Sequence, residues 1–313
     1  MMKKPLLIIV GPTAVGKTET SINLAKKLDG EIISADSMQV YKYMDIGSAK
    51  PTEEEKNGIP HYLMDEIDPR EKFSAADFKE KAEDYMDKII EKNKLPMIVG
   101  GTGLYVNSII YNVDFTQTTS NWEFRKKLED MANEFGNEYL HQKLMEKDKE
   151  AAARIHPNNV KRVIRALEVI ENGEKMKDFK NDLVENEEYN YTLIGLIRDR
   201  QELYERINMR VDLMIEGGLI EEVKNLMKLG LDEEAISMKG LGYKEMIRYL
   251  KGEYDLTEAT RILKRDTRRY AKRQITWFKR YDQMKWFDFG DYPSKKELEE
   301  DILKYVEGKL NFL

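Results

Sequence analysis

An α/β fold, a doubly wound parallel sheet with an inserted helical domain, is predicted by three features of the sequence. Short strand-like runs recur at 6–10 (LLIIV), 31–34 (EIIS) and 96–99 (PMIV), separated by segments of helical period. A glycine-rich loop stands directly between the first run and the first helical segment. From about residue 114 to 188 the chain becomes polar, charge-rich and helical in period, with no convincing strand.

The run at 6–10 is wholly apolar, as a central parallel strand buried on both faces requires. Ile22, Ala25 and Leu28 share one face of a helix over 19–28. Ser74 with Asp77 three residues on forms a capping box, after which Phe78, Ala82, Tyr85, Met86 and Ile89 line one side. The run at 96–99 ends in Gly100-Gly101. Residues 191–197 (YTLIGLI) bring the chain back to the sheet, and Leu203, Ile207, Val211 and Met214 mark a following helix that Gly217-Gly218 stops. The expected organisation is a core over 1–113, a helical insertion over 114–188, and a return to the core with basic C-terminal helices over 189–313.

Composition narrows the function classes. At 313 residues, with 35% charged and 41% hydrophobic residues and no cysteine, the chain fits a globular protein of a reducing compartment. The opening Met1-Met2-Lys3-Lys4 and the run at 6–10 lack the length and cleavage pattern of a signal peptide, and no segment approaches a membrane span. The expected location is the cytoplasm. His61, His141 and His156 are scattered, which excludes a zinc site. Net charge is −6, yet 261–280 carries nine Lys/Arg against the single acid Asp266, and Arg154, Lys161, Arg162 and Arg165 fall in an acid-free stretch at 151–165. Local patches, not net charge, set affinity for a phosphate backbone.

Gly11, Pro12, Thr13, Ala14, Val15, Gly16, Lys17 and Thr18 match G-x-x-x-x-G-K-[ST] in its required strand–loop–helix setting. The loop amides and helix N-terminus would cradle a di- or triphosphate, with Lys17 as mobile cation and Thr18 as a ligand for Mg²⁺. The fold is therefore of the P-loop NTPase-like kind. A second acid at the end of a later strand, usual in ATPases and GTPases, is replaced by Gly100-Gly101-Thr102. Asp36, just after the second strand, is open to three roles: general base, magnesium ligand or helix cap.

Read together, GPTAVGKT, ISADSMQVYKYMDIGSAKPT (33–52), SAADF (74–78), VGGTGLY (99–105), AAARIHPNNVKRVIRALEV (151–169) and AKRQITWF (271–278) closely resemble the bacterial tRNA dimethylallyltransferases. The resemblance implies transfer of a dimethylallyl group from dimethylallyl diphosphate to N6 of the adenosine on the 3′ side of the anticodon, with release of diphosphate. It implies Asp36 as general base, Thr102 beside the reacting groups, Lys17 and Arg210 on the diphosphate, and Mg²⁺ on Thr18. It also places Asp36, Ser37, Met38, Gln39, Thr102, Arg125, Lys161, Arg162, Val163, Ile164 and Arg165 against the tRNA anticodon stem-loop. The charge count adds Arg268, Arg269 and Arg273, whose neighbours Tyr270, Trp277 and Phe278 read as core. The chain lacks the Cys/His zinc finger common in eukaryotic relatives, and no obligate protein partner is implied. Three alternatives fit parts of the pattern. In a small-molecule kinase Arg154, Arg162 and Arg165 would be lid arginines; the others are an adenylate prenyltransferase and a non-catalytic RNA-binding module.

Overall fold

In the computed structural model, which describes residues 3–113, 121–174 and 183–310, the first apolar run lies in a strand whose last five residues are buried. This is β1 (Lys4–Val10), and it joins β2 (Gly30–Ala35), β3 (His61–Tyr62), β4 (Leu95–Gly100), β5 (Tyr189–Ile197) and β6 (Lys285–Asp288). The six form one sheet in the order β3-β2-β4-β1-β5-β6, every pair parallel. β3 and β6 were not expected. β3 has two half-exposed residues, and β6, at the sheet edge, has a single buried one, so neither shows an apolar run.

Register decides where the loops emerge. Val10 and Ala35 both lie opposite Gly100, from either side of β4. Residues 11, 36 and 101 therefore leave the sheet side by side at its carboxyl edge, where open α/β sheets bind ligands.

The chain divides into two compact units, one of Met1–Ile110 with Asn186–Leu313 and one of Tyr111–Glu185. In the first, α1 (Lys17–Lys27) and α13 (Lys295–Leu310) bury Ile22, Leu24, Leu298, Ile302 and Val306 in a core with Leu7 and Ile9. The short α2 (Glu53–Lys56) precedes β3. α3 (Ala75–Glu91) has the capping box of Ser74 and Asp77 and buries Phe78, Ala82, Met86 and Ile89. Tyr85 sits at the margin of that face instead, its ring 4.6 Å from that of Tyr62. α4 (Gly103–Ile110) follows β4. After β5 come α9 (Arg200–Glu216), α10 (Leu219–Lys228), α11 (Tyr243–Leu250) and α12 (Leu256–Phe278). Gly218, with φ 101°, stops α9 and caps α10, a backbone angle that glycine adopts without strain. Among the described residues no helix is long and apolar enough to cross a membrane.

The second unit consists of α5 (Trp122–Phe135), α6 (Asn137–Lys147), α7 (Lys149–Arg154) and α8 (Val160–Glu171). The expected boundary at residue 114 falls outside the described residues. Leu128, Leu140, Leu144, Val163, Ile164 and Leu167 form its core. Beside that core the 1%-exposed Glu168 carboxylate accepts from Arg125 at 2.8 and 2.7 Å, from Arg165 at 2.6 Å and from the Asn121 amide at 3.0 Å. Burial works to raise the Glu168 carboxyl, but the two arginines outweigh it and hold it below its ordinary value.

Glu168→Ala leaves these donors unanswered, and the helical unit should lose about 2–4 kcal/mol in chemical denaturation. Because the folded carboxyl is depressed, its contribution is present above the unfolded carboxylate pKa. It should fade as pH falls through the folded one. A wild-type denaturation midpoint in Glu168→Ala at neutral pH would contradict this.

Candidate active site

The loop between β1 and α1 is a phosphate cradle. Gly16, at φ 114°, makes the left-handed turn into α1 and exposes its first amides. The Lys17 ammonium donates to the carbonyls of Gly11 and Pro12 at 2.9 and 2.8 Å, lying along the loop. Burial, then repulsion from Arg210, push Lys17 down to about 7, while Asp36 pulls the other way. Thr18 is exposed at the start of α1. Among the described residues no three His, Cys, Asp or Glu side chains gather as a metal cage. One hydroxyl at a phosphate cradle nevertheless suits Mg²⁺, which commonly takes most of its oxygens from substrate phosphate and water.

Three arginines surround the loop. Arg198 donates to Val15 O at 2.8 Å, and its guanidinium lies 3.6 Å from the centre of the Phe289 ring. Arg206 donates to Ala14 O at 2.9 Å, and Arg210 stands one helical turn further along α9. Burial, then the neighbouring Arg206, lower the Arg210 guanidinium. Arg210 is thus a desolvated cation beside the loop, while Arg198 and Arg206 bond the loop carbonyls. Neither of the latter two was singled out from the sequence, although the four-residue spacing to Arg210 places Arg206 on the same helical face.

Across the carboxyl edge, Asp36 accepts from the Met38 amide at 2.9 Å, which orders the turn after β2. Thr102 Oγ1 accepts from the Ser37 amide at 3.1 Å, and the Thr102 amide donates to Ala35 O at 3.1 Å. Gln274, on α12 and 6% exposed, joins these loops to the cradle. Its Oε1 accepts from the Thr13 amide at 2.9 Å, and its Nε2 donates to Gly101 O at 3.0 Å. A Cβ on residue 101 would lie 2.1 Å from that Nε2, so any larger residue there would push Gln274 off the Gly101 carbonyl. The sequence holds Gln274 within the AKRQITWF block, but nothing there signals the clasp.

Two clefts meet at Asp36. One is lined by Lys17, Thr18 and the apolar Ile32, Met64 and Val99; the other by Met38, Met214, Leu241, Lys239, Lys244 and Arg273. Both are bordered by Thr13, Asp36, Ser48, Ala49, Arg210 and Tyr270. One expectation changes here: Tyr270, read as core, is a wall residue whose hydroxyl is raised by burial and by Asp36.

The residues expected at RNA divide by exposure. Lys161 and Arg162 are exposed, whereas Val163 and Ile164 are 0% and 3% exposed in the helical core, so their side chains cannot reach RNA. Arg125 and Arg165 hold Glu168. Gln39 is engaged internally, accepting from Ser34 at 2.9 Å and donating to the carbonyls of Ser48 and Ala49. On α12, Arg261, Lys264 and Arg265 pair with Glu258, Asp212 and Asp266. Arg268 is half-buried and bonds Asn208 at 2.5 Å. Arg269 and Arg273 are exposed, the former 3.4 Å from Asp266 and the latter over the Tyr270 ring.

A phosphate cradle and a carboxylate at one edge of an all-parallel sheet, with two clefts meeting between them, define a P-loop-type group-transfer enzyme. The profile of the IPP transferase family matches residues 39–281, and the chain belongs to that family. It is 63% identical to the tRNA dimethylallyltransferase of Alkaliphilus oremlandii over the full length of both, and 56% identical to that of Clostridioides difficile, over 99% of this chain and all of the other. Among solved structures, the tRNA isopentenylpyrophosphate transferase of Bacillus halodurans aligns with TM-score 0.75 at 48% identity, covering 99% of this chain and 97% of that one. A eukaryotic dimethylallyltransferase seen acting on tRNA aligns with TM-score 0.81 at 27% identity, covering 98% and 80%.

With Lys17 near 7, inorganic diphosphate bound at about pH 8 should draw a proton onto the amine, and at about pH 6 should draw much less. Calorimetry in buffers of different ionisation enthalpy measures this uptake. Lys17→Arg, charged throughout, should lack it; equal uptake by both proteins at about pH 8 would contradict the assignment.

Proposed function

We propose that this chain transfers the dimethylallyl group from dimethylallyl diphosphate to N6 of the tRNA adenosine immediately 3′ of the anticodon. The observation that carries the reading is the meeting of the two clefts at Asp36. The cleft of Lys17 and Thr18 suits an anionic donor, and its apolar wall of Ile32, Met64 and Val99 suits a prenyl chain. The cleft of Met38, Met214 and Leu241, rimmed by Lys239, Lys244 and Arg273, suits a base carrying flanking phosphates.

In the reaction, the N6 lone pair forms a bond to the allylic carbon while the bond from that carbon to the diphosphate oxygen breaks. Asp36 takes the N6 proton. Lys17, Arg210 and the amides at the start of α1 receive the charge that develops on the leaving diphosphate. Thr18 would hold Mg²⁺, which would supply further neutralisation of the leaving diphosphate. Thr102, tied to the Ser37 amide, fixes the turn that carries Asp36. An anticodon-loop base is already unpaired, so little energy is needed to bring it to a recessed site. Lys161, Arg162, Arg269 and Arg273 are the exposed cations available to the RNA backbone. A tRNA substrate places the reaction in the cytoplasm.

Labelled dimethylallyl diphosphate and unmodified tRNA should yield label on N6 of that adenosine. Asp36→Asn should bind donor and tRNA nearly as wild type yet lower the single-turnover rate about 10²- to 10⁴-fold, the range for a lost general base. A near wild-type rate in the variant would assign Asp36 to the turn alone.

A further inference from the structure

The walls shared by the two clefts include the loop 45–49, which is held in part by side chains from other segments. Ser48 and Ala49 border both clefts, and Gly47 borders the one that suits a base. The loop is a turn closed by two backbone bonds of its own, Ala49 N to Ile46 O and Lys50 N to Asp45 O, each 3.0 Å, and side chains from other segments hold the amides and carbonyls these leave free. From one side Gln39 holds the carbonyls of Ser48 and Ala49, each at 3.3 Å. From the other, a single carboxylate holds three consecutive amides. Glu222 Oε2 accepts from Asp45 N at 2.8 Å and Ile46 N at 2.7 Å; its Oε1 accepts from Gly47 N at 3.0 Å and from the Tyr243 hydroxyl at 2.9 Å. Tyr243, fully buried, lies flush beneath the loop: a Cβ on residue 47 would sit 2.6 Å from its Cζ.

We infer that Glu222 is a positioning residue for the transfer step: with Tyr243 it fixes the 45–49 loop, and so the width of the passage at which donor and acceptor meet. The loop reaches Asp36 through Gln39, which lies in the same turn, and through the shared cleft wall. Glu222 lines neither cleft and touches no reacting atom. A carboxylate is required because its two oxygens each take two donors; an amide presents one acceptor oxygen and turns an NH₂ toward the other pair. A loop displaced by about 1 Å would lengthen the approach of the reacting atoms, an error that can slow a positioned reaction about 10²-fold.

This inference rests on the proposed reaction for its consequence, though not for the clasp itself, and the test reads the two separately. Glu222→Gln should speed hydrogen exchange at the amides of Asp45, Ile46 and Gly47 by about tenfold or more. It should also lower the single-turnover rate at saturating donor and tRNA about 10- to 100-fold. Donor Kd and thermal midpoint should stay close to wild type, a split that general loss of structure would not give. Tyr243→Phe removes one bond of the four, and it should speed exchange at Gly47 and slow transfer a few-fold; it serves also if Glu222→Gln fails to fold. Unchanged exchange in both variants, or faster exchange with a wild-type transfer rate, overturns the inference. A wild-type protein that transfers nothing would overturn the reaction, while the exchange measurement still decides the clasp.

Discussion

The site depends on how closely three strand ends approach one another at the carboxyl edge of the sheet. Parallel strands sit about 4.8 Å apart, and the register places residues 11, 36 and 101 in adjacent rows. At the end of β4 the backbone approaches its neighbours too closely for a side chain. A Cβ on Gly100 would lie 2.1 Å from Ala35 O, and one on Gly101 would meet Gln274. Gln274 then answers a donor on the phosphate loop and an acceptor on the loop after β4 with one buried amide group. The glycines permit the approach, and Gln274 fixes it. The phosphate loop is thereby tied to the loop after β4, and that loop, through Thr102, to the turn that carries Asp36.

Charge is distributed to suit that arrangement. Lys17 is lowered by burial and then by Arg210, and Arg210 by burial and then by Arg206; Asp36 counters this for Lys17, and Glu55 and then Asp36 counter it for Arg210. A cluster of under-compensated cations is costly in the free protein and becomes favourable when an anion arrives. Elsewhere the basic side chains are largely balanced: Arg261, Lys264 and Arg265 each have an acid within the same unit. The exposed cations at Lys161, Arg162 and Arg273 leave an acidic chain with local positive ground.

Strands buried on both faces were legible in the sequence because burial leaves an unbroken apolar run, as in LLIIV. β3 and β6 were not, because edge strands with exposed residues carry no such run. The phosphate loop was legible because its chemistry demands glycines and a lysine at fixed spacing. Asp36 was left between base, magnesium ligand and cap by its residues alone; the structure gives it a turn hydrogen bond to the Met38 amide and a place between two clefts. Gln274, Arg206, Tyr270 and Glu222 were missed because their partners lie on distant segments; no local spacing encodes a contact such as Gln274 to Thr13. Val163 and Ile164 show the converse limit, since a motif stretch includes the residues that pack it as well as those that face outward.

The Gln274 clasp joins the phosphate loop to the loop after β4, whose Thr102 holds the turn of Asp36. Gln274→Leu keeps the volume and strands the Thr13 amide and the Gly101 carbonyl, a cost of about 1–3 kcal/mol. The most direct measurement is the pair of diphosphate affinity and single-turnover transfer rate in this one variant. The account predicts that both fall together, each by about tenfold or more, while the circular dichroism of the sheet is unchanged. Wild-type diphosphate affinity combined with a wild-type transfer rate would show that the two loops hold their places without the clasp, and would contradict the account.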